Sequence, residues 1–198
     1  NSKIKICSLP RVDDILTDNN AASRFFTENP GLSHDKIVLY LPTFRERDAY
    51  IAEQLKVEFR DVDGYRLIIS AHPLFSKIKI ENEFSYSGDF STYDLMKIAD
   101  VTITDYSACA FEASVLMKPL YFFVPDYDEY SSERGINVDL KNEMPSATFE
   151  NAEELVNAIK LNNYDFDMLY KFKCEYVENT KANNAEILAK FVSMLLKA

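Results

Sequence analysis

Residues 101–125 read VTITDYSACAFEASVLMKPLYFFVP, and the order of their parts decides the expected fold. Val101-Thr-Ile-Thr104 is short and β-branched, as suits a buried strand. Ser107 stands where a helix N-cap belongs, and Ala108 to Met117 can run as that helix. Pro119 leads into Leu120-Tyr-Phe-Phe-Val124, a second apolar run stopped by Pro125. Strand, polar loop, helix and strand at this spacing form a βαβ unit, whose strands are parallel.

The alternation extends upstream. Lys36-Ile-Val-Leu-Tyr-Leu41 is a continuous apolar run before Pro42, the pattern of a parallel strand covered on both faces. A polar loop from Thr43 to Asp48 follows, then a helix from Ala49 to about Phe59. Gly64 turns the chain into a strand over Arg66-Leu-Ile-Ile-Ser-Ala71 that ends at His72-Pro73. Phe84-Ser-Tyr86 reads as a short strand, and Ser91 with Asp94 supplies a capping box for a helix from Thr92 to Ala99. Downstream, Asp126 to Met144 is acidic, tyrosine-rich and aperiodic, and reads as a long functional connection. Helical periodicity returns from Asn151 through Leu155, Val156 and Ile159, then over Phe166 to about Tyr176, and again at Ile187, Leu188, Phe191, Val192 and Leu195. The expected fold is α/β: a Rossmann-like parallel sheet with flanking helices, ending in C-terminal helices. The expected organisation is an interdomain linker leading in over residues 1–35, a nucleotide-donor-binding domain over 36–165, and helices packing on it over 166–198.

The composition bounds the function. A chain of 198 residues with 47% hydrophobic and 13% aromatic content suits one well-cored domain and excludes disorder for most of its length. Thirty-two acidic against 22 basic residues leave a formal charge of −10, which opposes non-specific attraction to nucleic acid or anionic lipid, so an anionic ligand has to be held locally. Four glycines, Gly31, Gly64, Gly88 and Gly135, cannot write a G-x-G-x-x-G fingerprint or a P-loop. Cys7, Cys109 and Cys174 are odd in number and far apart, which suits a reducing compartment rather than a disulfide framework. With His34 and His72 as the sole histidines, no metal site and no cofactor are expected. No apolar run approaches the roughly 20 residues of a membrane span, and no signal peptide is expected. The start at Asn1 reads as a fragment of something longer.

Four polar clusters fall at expected strand ends, where open parallel sheets bind ligands: Thr43 to Arg47, His72-Pro73, Asp105-Tyr106-Ser107, and Asp126 to Gly135. Ser107 can offer its hydroxyl, with the amides of Ser107 and Ala108, to a phosphate; its plainer role is an N-cap. Glu112 lies five residues on, about 7.5 Å along a helix, within reach of a ribose diol if it is not a salt-bridged surface acid. His72 can donate to a phosphate or act as a general acid, or can be structural. Thr43, Arg45 and Arg47 offer hydroxyl and guanidinium donors, but Glu46 and Asp48 allow a surface ion-pair loop instead. Arg134 is either a phosphate clamp or the partner of Asp126, Asp128 or Glu133.

Taken in order, Leu9-Pro10-Arg11-x-Asp13, Pro42-Thr43-Phe44-Arg45, His72-Pro73, Ala99-Asp100-x-x-Ile103-Thr104-Asp105-Tyr106-Ser107, Phe111-Glu112, Lys118-Pro119 and Asp128-x-Tyr130-x-x-x-Arg134-Gly135 resemble the CDP-glycerol glycerophosphotransferase family. Its members are primases and polymerases of teichoic acid and related capsule polymers. The resemblance runs from about residue 5 to residue 160. It implies the C-terminal, donor-binding domain of a GT-B type enzyme, with the acceptor site and a further catalytic histidine on an N-terminal domain outside this chain. It implies direct displacement, in which an acceptor hydroxyl attacks the glycerol-side phosphorus of a CDP-linked donor and CMP leaves without a nucleotide-bridging metal. Carried over, His72 is the catalytic residue, and Thr43, Arg45, His72, Pro73, Thr104, Ser107, Ala108, Glu112, Asp128, Arg134 and Gly135 bind the donor. The implied acceptor is a lipid-linked polymer, and the implied location is cytoplasmic, peripheral at the inner face of the bacterial membrane. Ala108 stands where members often carry a second serine, and Ser70-Ala71 where they often carry a basic residue before His-Pro. Two other readings stay open: a different GT-B transferase using a CMP- or other nucleotide-linked sugar, and a non-catalytic α/β ligand-binding domain.

Overall fold

The computed structural model describes residues 9–17, 19–43, 45, 47–71, 78–177, 181 and 183–196. Its centre is a five-stranded sheet of β1 (Lys36–Tyr40), β2 (Tyr65–Ile69), β3 (Val101–Thr104), β4 (Leu120–Phe123) and β5 (Thr148–Phe149), in the order β2-β1-β3-β4-β5 with every pair parallel. All four residues of β3 and of β4, and Ile37 to Tyr40 of β1, are buried, which is why β1 and β4 read as unbroken apolar runs and β3, with Thr102 and Thr104, as a β-branched one. The order reverses between β1 and β3. That reversal is the switch point where the loops after neighbouring strands diverge and open a crevice.

Ten helices surround the sheet among the described residues: α1 (Arg11–Leu16), α2 (Ala21–Glu28), α3 (Asp48–Phe59), α4 (Thr92–Ile98), α5 (Cys109–Val115), α6 (Tyr127–Arg134), α7 (Leu140–Glu143), α8 (Ala152–Leu161), α9 (Phe166–Tyr176) and α10 (Asn184–Leu196). Helices α3 and α8 pack on each other, against β2 and against β4 and β5 respectively. Helices α4 and α5 lie on β1, β3 and β4 and gather α1, α2 and α9 about them, with α10 on α1. The caps follow the sequence. Ser91 and Asp94 form the expected capping box, and Asn151 accepts from the Glu154 amide at the start of α8.

The structure departs from expectation in four places. Residues 82–84 form a 3₁₀ turn where a strand over 84–86 was expected; Phe84 is buried there as a single anchor, so no period-2 pattern is needed to hold it. The aperiodic stretch 126–144 contains two helices, α6 and α7; α6 buries none of its residues, so it carries no apolar period to read. The short strand β5 adds an edge to the sheet. Within 1–35, α1 and α2 pack on α4, and the Phe25 ring is fully buried edge-on to Phe26 and Phe90, each centroid 5.3 Å away.

Several recurrent-looking residues prove to be fasteners. The Asp13 carboxylate accepts from the amides of Asn184 and Ala185 at 2.8 and 2.9 Å, capping α10 from α1; the Ala185 bond above all holds that carboxyl below its usual range. Lys118 Nζ donates to the Lys97 and Ala99 carbonyls at 2.5 and 2.7 Å, closing the C-terminus of α4. Asp100 accepts from the Ile37 amide at 2.8 Å and fixes the start of β1 to the start of β3.

Candidate functional site

The crevice at the switch point is built from the loops that leave β1, β3 and β4. Asp105, the first residue past β3, is 1% exposed. Its carboxylate accepts from the Thr43 amide at 3.0 and 3.1 Å and from Thr43 Oγ1 at 2.5 Å, and it faces Arg45 Nη1 at 3.1 Å. On the other side of Arg45, Nε lies 3.2 Å from Asp126, which leaves β4 and accepts from the Tyr106 hydroxyl at 3.2 Å. A closed chain of Thr43, Asp105, Arg45, Asp126 and Tyr106 therefore ties three strand-end loops together. Arg45 meets both carboxylates at ion-pair distance but off hydrogen-bonding angle, leaving Nε, Nη1 and Nη2 without a directed acceptor among the described residues.

Below this chain the polar atoms are buried and incompletely matched. The Tyr40 hydroxyl, at the end of β1, is fully buried with no hydrogen-bond partner among the described residues, and so are both Asp48 carboxylate oxygens. Burial first, and Asp105 second, push the Tyr40 hydroxyl well above its usual range. Burial likewise raises the Asp105 carboxyl, against the opposing pull of Arg45 and the Thr43 bonds. One buried guanidinium thus serves two carboxylates, Asp105 and Asp126.

Ser107 begins the turn into α5, and its hydroxyl accepts from the Cys109 amide at 3.2 Å, an N-cap bond. The amides of Ser107 and Ala108 themselves have no partner among the described residues. Both residues line a cavity of about 180 Å³, together with Asp105, Tyr106, Phe111, Phe122, Tyr130, Phe172 and Gly135 to Val138. Tyr130 stacks on Tyr106 with ring centres 3.8 Å apart and planes 10° from parallel. Behind Tyr130 a second, polar cavity of about 310 Å³ is lined by Arg45, Arg47, Asp126, Glu129, Glu133 and Arg134. Arg134 lies over the Tyr130 ring at 5.7 Å, and Arg47 pairs with Glu129 at 2.6 Å.

The structure brings together Thr43, Arg45, Ser107, Ala108, Arg134 and Gly135 around these two cavities. It sets three expected residues apart. Thr104 is fully buried, and its hydroxyl donates to the Leu41 carbonyl at 2.9 Å, within the sheet. Glu112 is 3% exposed and pairs with Arg11 of α1, outside both cavities. Asp128 is exposed on α6 and lines neither cavity. His72 and Pro73 lie outside the described residues. The strand-end clusters contained Asp105, Tyr106, Asp126 and Tyr130, but reading the residues one by one assigned none of the four a ligand role; the available signal was an acid shortly after each of two buried strand runs, Asp105 next to Thr104 and Asp126 three residues past Phe123. Among the described residues no group of three or more histidine, cysteine, aspartate or glutamate side chains is placed to hold a metal.

Comparison with known proteins agrees with this architecture. The chain is 32% identical over 185 residues to a teichoic acid ribitol-phosphate primase of Bacillus spizizenii, covering 87% of this chain and 47% of that protein. It is 28% identical over 206 residues to a teichoic acid glycerol-phosphate primase of Bacillus subtilis, covering 99% of this chain and 52% of the relative. The chain thus spans about half the length of these curated relatives. Among solved structures, the wall teichoic acid polymerase TagF superposes with a TM-score of 0.68 at 22% identity, over 97% of this chain and 52% of that one. A UDP-GlcNAc 2-epimerase of Methanocaldococcus jannaschii shares the fold at a TM-score of 0.54 and 17% identity, over 99% of this chain and 55% of its own. The family model for CDP-glycerol:poly(glycerophosphate) glycerophosphotransferase matches residues 1–194, nearly the whole chain, and on that match the chain belongs to this family.

Proposed function

We propose that this chain is the donor-binding half of a transferase that moves glycerol phosphate, or a related polyol phosphate, from a CDP-linked donor to a cell-surface polymer acceptor and releases CMP. The observation that carries the reading is the cavity beside the β3–α5 turn, walled by aromatic rings and lined by Ser107 and Ala108, whose amides have no partner among the described residues. An aromatic-walled slot suits a nucleobase or sugar, and convergent N–H donors suit a phosphate. Family membership names the donor class.

On this reading Ser107 and the two amides hold the pyrophosphate, and Thr43, Arg45 and Arg134 complete the polar side. The acceptor hydroxyl attacks the glycerol-side phosphorus, its new P–O bond forming as the bond to the bridging oxygen of CMP breaks. His72 stabilises or protonates the departing CMP phosphate, and the proton of the acceptor hydroxyl passes to a base on the part of the protein outside this chain. Electrostatic stabilisation of the phosphoryl oxygens is the main contribution asked of this half. Glu112, engaged by Arg11, has no part in it. The full-length protein works at the cytoplasmic face of the membrane on a lipid-linked acceptor. Its membrane contact on this reading is peripheral; among the described residues no helix is long and apolar enough to cross a membrane.

Titration calorimetry of this chain with CMP, CDP and CDP-glycerol tests the reading. The expected result is binding of at least one cytidine nucleotide that Ser107→Pro abolishes, because proline removes one of the two amides. No binding of any of the three up to millimolar concentration overturns it.

A further inference from the structure

We infer that Asp105 is a positioning residue for the donor cradle: its buried carboxylate sets where Thr43 and Arg45 stand relative to Ser107. The inference rests on reading this crevice as the donor site.

The loop after β1 has little else to hold it. The ladder of β1 ends with the Ser70 amide on the Tyr40 carbonyl and the Leu41 amide on the Ile103 carbonyl. Pro42 has no amide to donate, and the Thr43 amide and hydroxyl both go to Asp105. Arg45, the next described residue, is drawn to the same carboxylate by Nη1. Among the described residues, every hydrogen bond and ion pair of the Asp105 carboxylate thus lands on the β1 loop, while its own backbone runs within two residues into the Ser107 turn. A carboxylate so buried is expensive to keep ionised without full pairing, and here its partners are Thr43 and Arg45, the second of which lines the polar cavity. Asp126 with Tyr106 then holds the far side of Arg45 at ion-pair distance, and all three guanidinium nitrogens remain without a directed acceptor among the described residues. This is preorganisation: the donors are set before the ligand arrives.

The test compares Asp105→Asn with the wild-type chain by calorimetry with CMP and by amide hydrogen exchange, at a temperature where both are folded. Asparagine keeps one acceptor oxygen for Thr43 and loses the charge that draws Arg45. We expect CMP to bind about tenfold to a hundredfold more weakly, the cost of one or two hydrogen bonds to a charged group. We also expect faster exchange at the Thr43 and Arg45 amides, with protection in β1, β3 and β4 retained. If Asp105→Asn does not fold, Thr43→Val, which removes the 2.5 Å bond alone, is judged by the same two readouts. Affinity within twofold of wild type in a folded variant overturns the inference and leaves Asp105 a purely structural acid. Unchanged exchange at Thr43 overturns it whatever the ligand. Faster exchange in a chain whose wild type binds none of the cytidine nucleotides upholds the tie between the loops and removes the donor reading instead.

Discussion

Replacing Arg11 by methionine separates a structural role for Glu112 from a ligand-binding one. The Glu112 carboxylate is almost wholly enclosed, and the Arg11 guanidinium is its one ionic partner among the described residues, with 43% of the arginine side chain exposed. Removing one member of a buried pair costs about 3–5 kcal/mol. The exposed side of Arg11 admits solvent and screens part of this, so the expected loss is about 2 kcal/mol at pH 7. For a chain of this length that is a fall in Tm of about 4–8 °C. The pH dependence carries the argument. Burial already raises the Glu112 carboxyl, against the pull of Arg11, so the folded state holds that proton more tightly than the unfolded chain does. A raised acid contributes its stability below the unfolded value and loses it as pH rises through the folded value. Without Arg11 the folded value rises further, so the destabilisation must be largest at neutral pH and must shrink towards pH 4, where Glu112 is protonated and needs no counter-ion. Thermal unfolding of both proteins between pH 4 and pH 8 gives the difference directly. A loss in Tm that is the same at every pH refutes the reasoning.

Other expectations are simpler to state. Lys118→Met leaves the Lys97 and Ala99 carbonyls without their donor at the end of α4 and should cost about 2–3 kcal/mol in chemical denaturation; a midpoint unchanged from wild type would remove its capping role. Phe25→Ala empties a fully buried site beneath α2 and should cost about 3–5 kcal/mol, whereas a loss below about 1 kcal/mol would show that α2 is not part of the core. For the full-length protein, His72→Ala should lower turnover about a hundredfold or more, the usual contribution of a positioned acid–base group; unchanged turnover would take His72 out of the mechanism.

How far the sequence could be read follows from what each element buries. Strands β1, β3 and β4 are covered on both faces, so β1 and β4 are nearly all apolar, β3 is β-branched throughout, and the runs show plainly. Helix α6 is held by the Tyr130 stack, the Arg47 pair and the Tyr127 hydroxyl on Asp139, none of which leaves a hydrophobic period. Strand β5 has two residues, too few for any pattern. At the site, the motif drew the eye to Ser107 and the basic residues, which can touch an anion. The acids that hold them, Asp105 and Asp126, show their importance only once folding buries them beside Arg45. Glu112 is the converse: spacing along α5 put it within reach of a ligand, but which side of the helix faces the cavity is decided by α1, far away in the chain.

The two aspartates that bracket β3 have a consequence for how such a chain can change over time. Asp100 grips the amide of Ile37, and Asp105 grips that of Thr43. Strand β3 therefore behaves as a spacer of set length, clipped to its neighbour at both tips. Val101 and Ile103 can give way to other apolar residues of suitable shape, but removing or adding a single residue would free one clip and turn the side chains beyond it to the wrong face. Between positions 100 and 105, drift in composition is tolerated and drift in length is not, and the distance from the sheet to the crevice is held constant as a result.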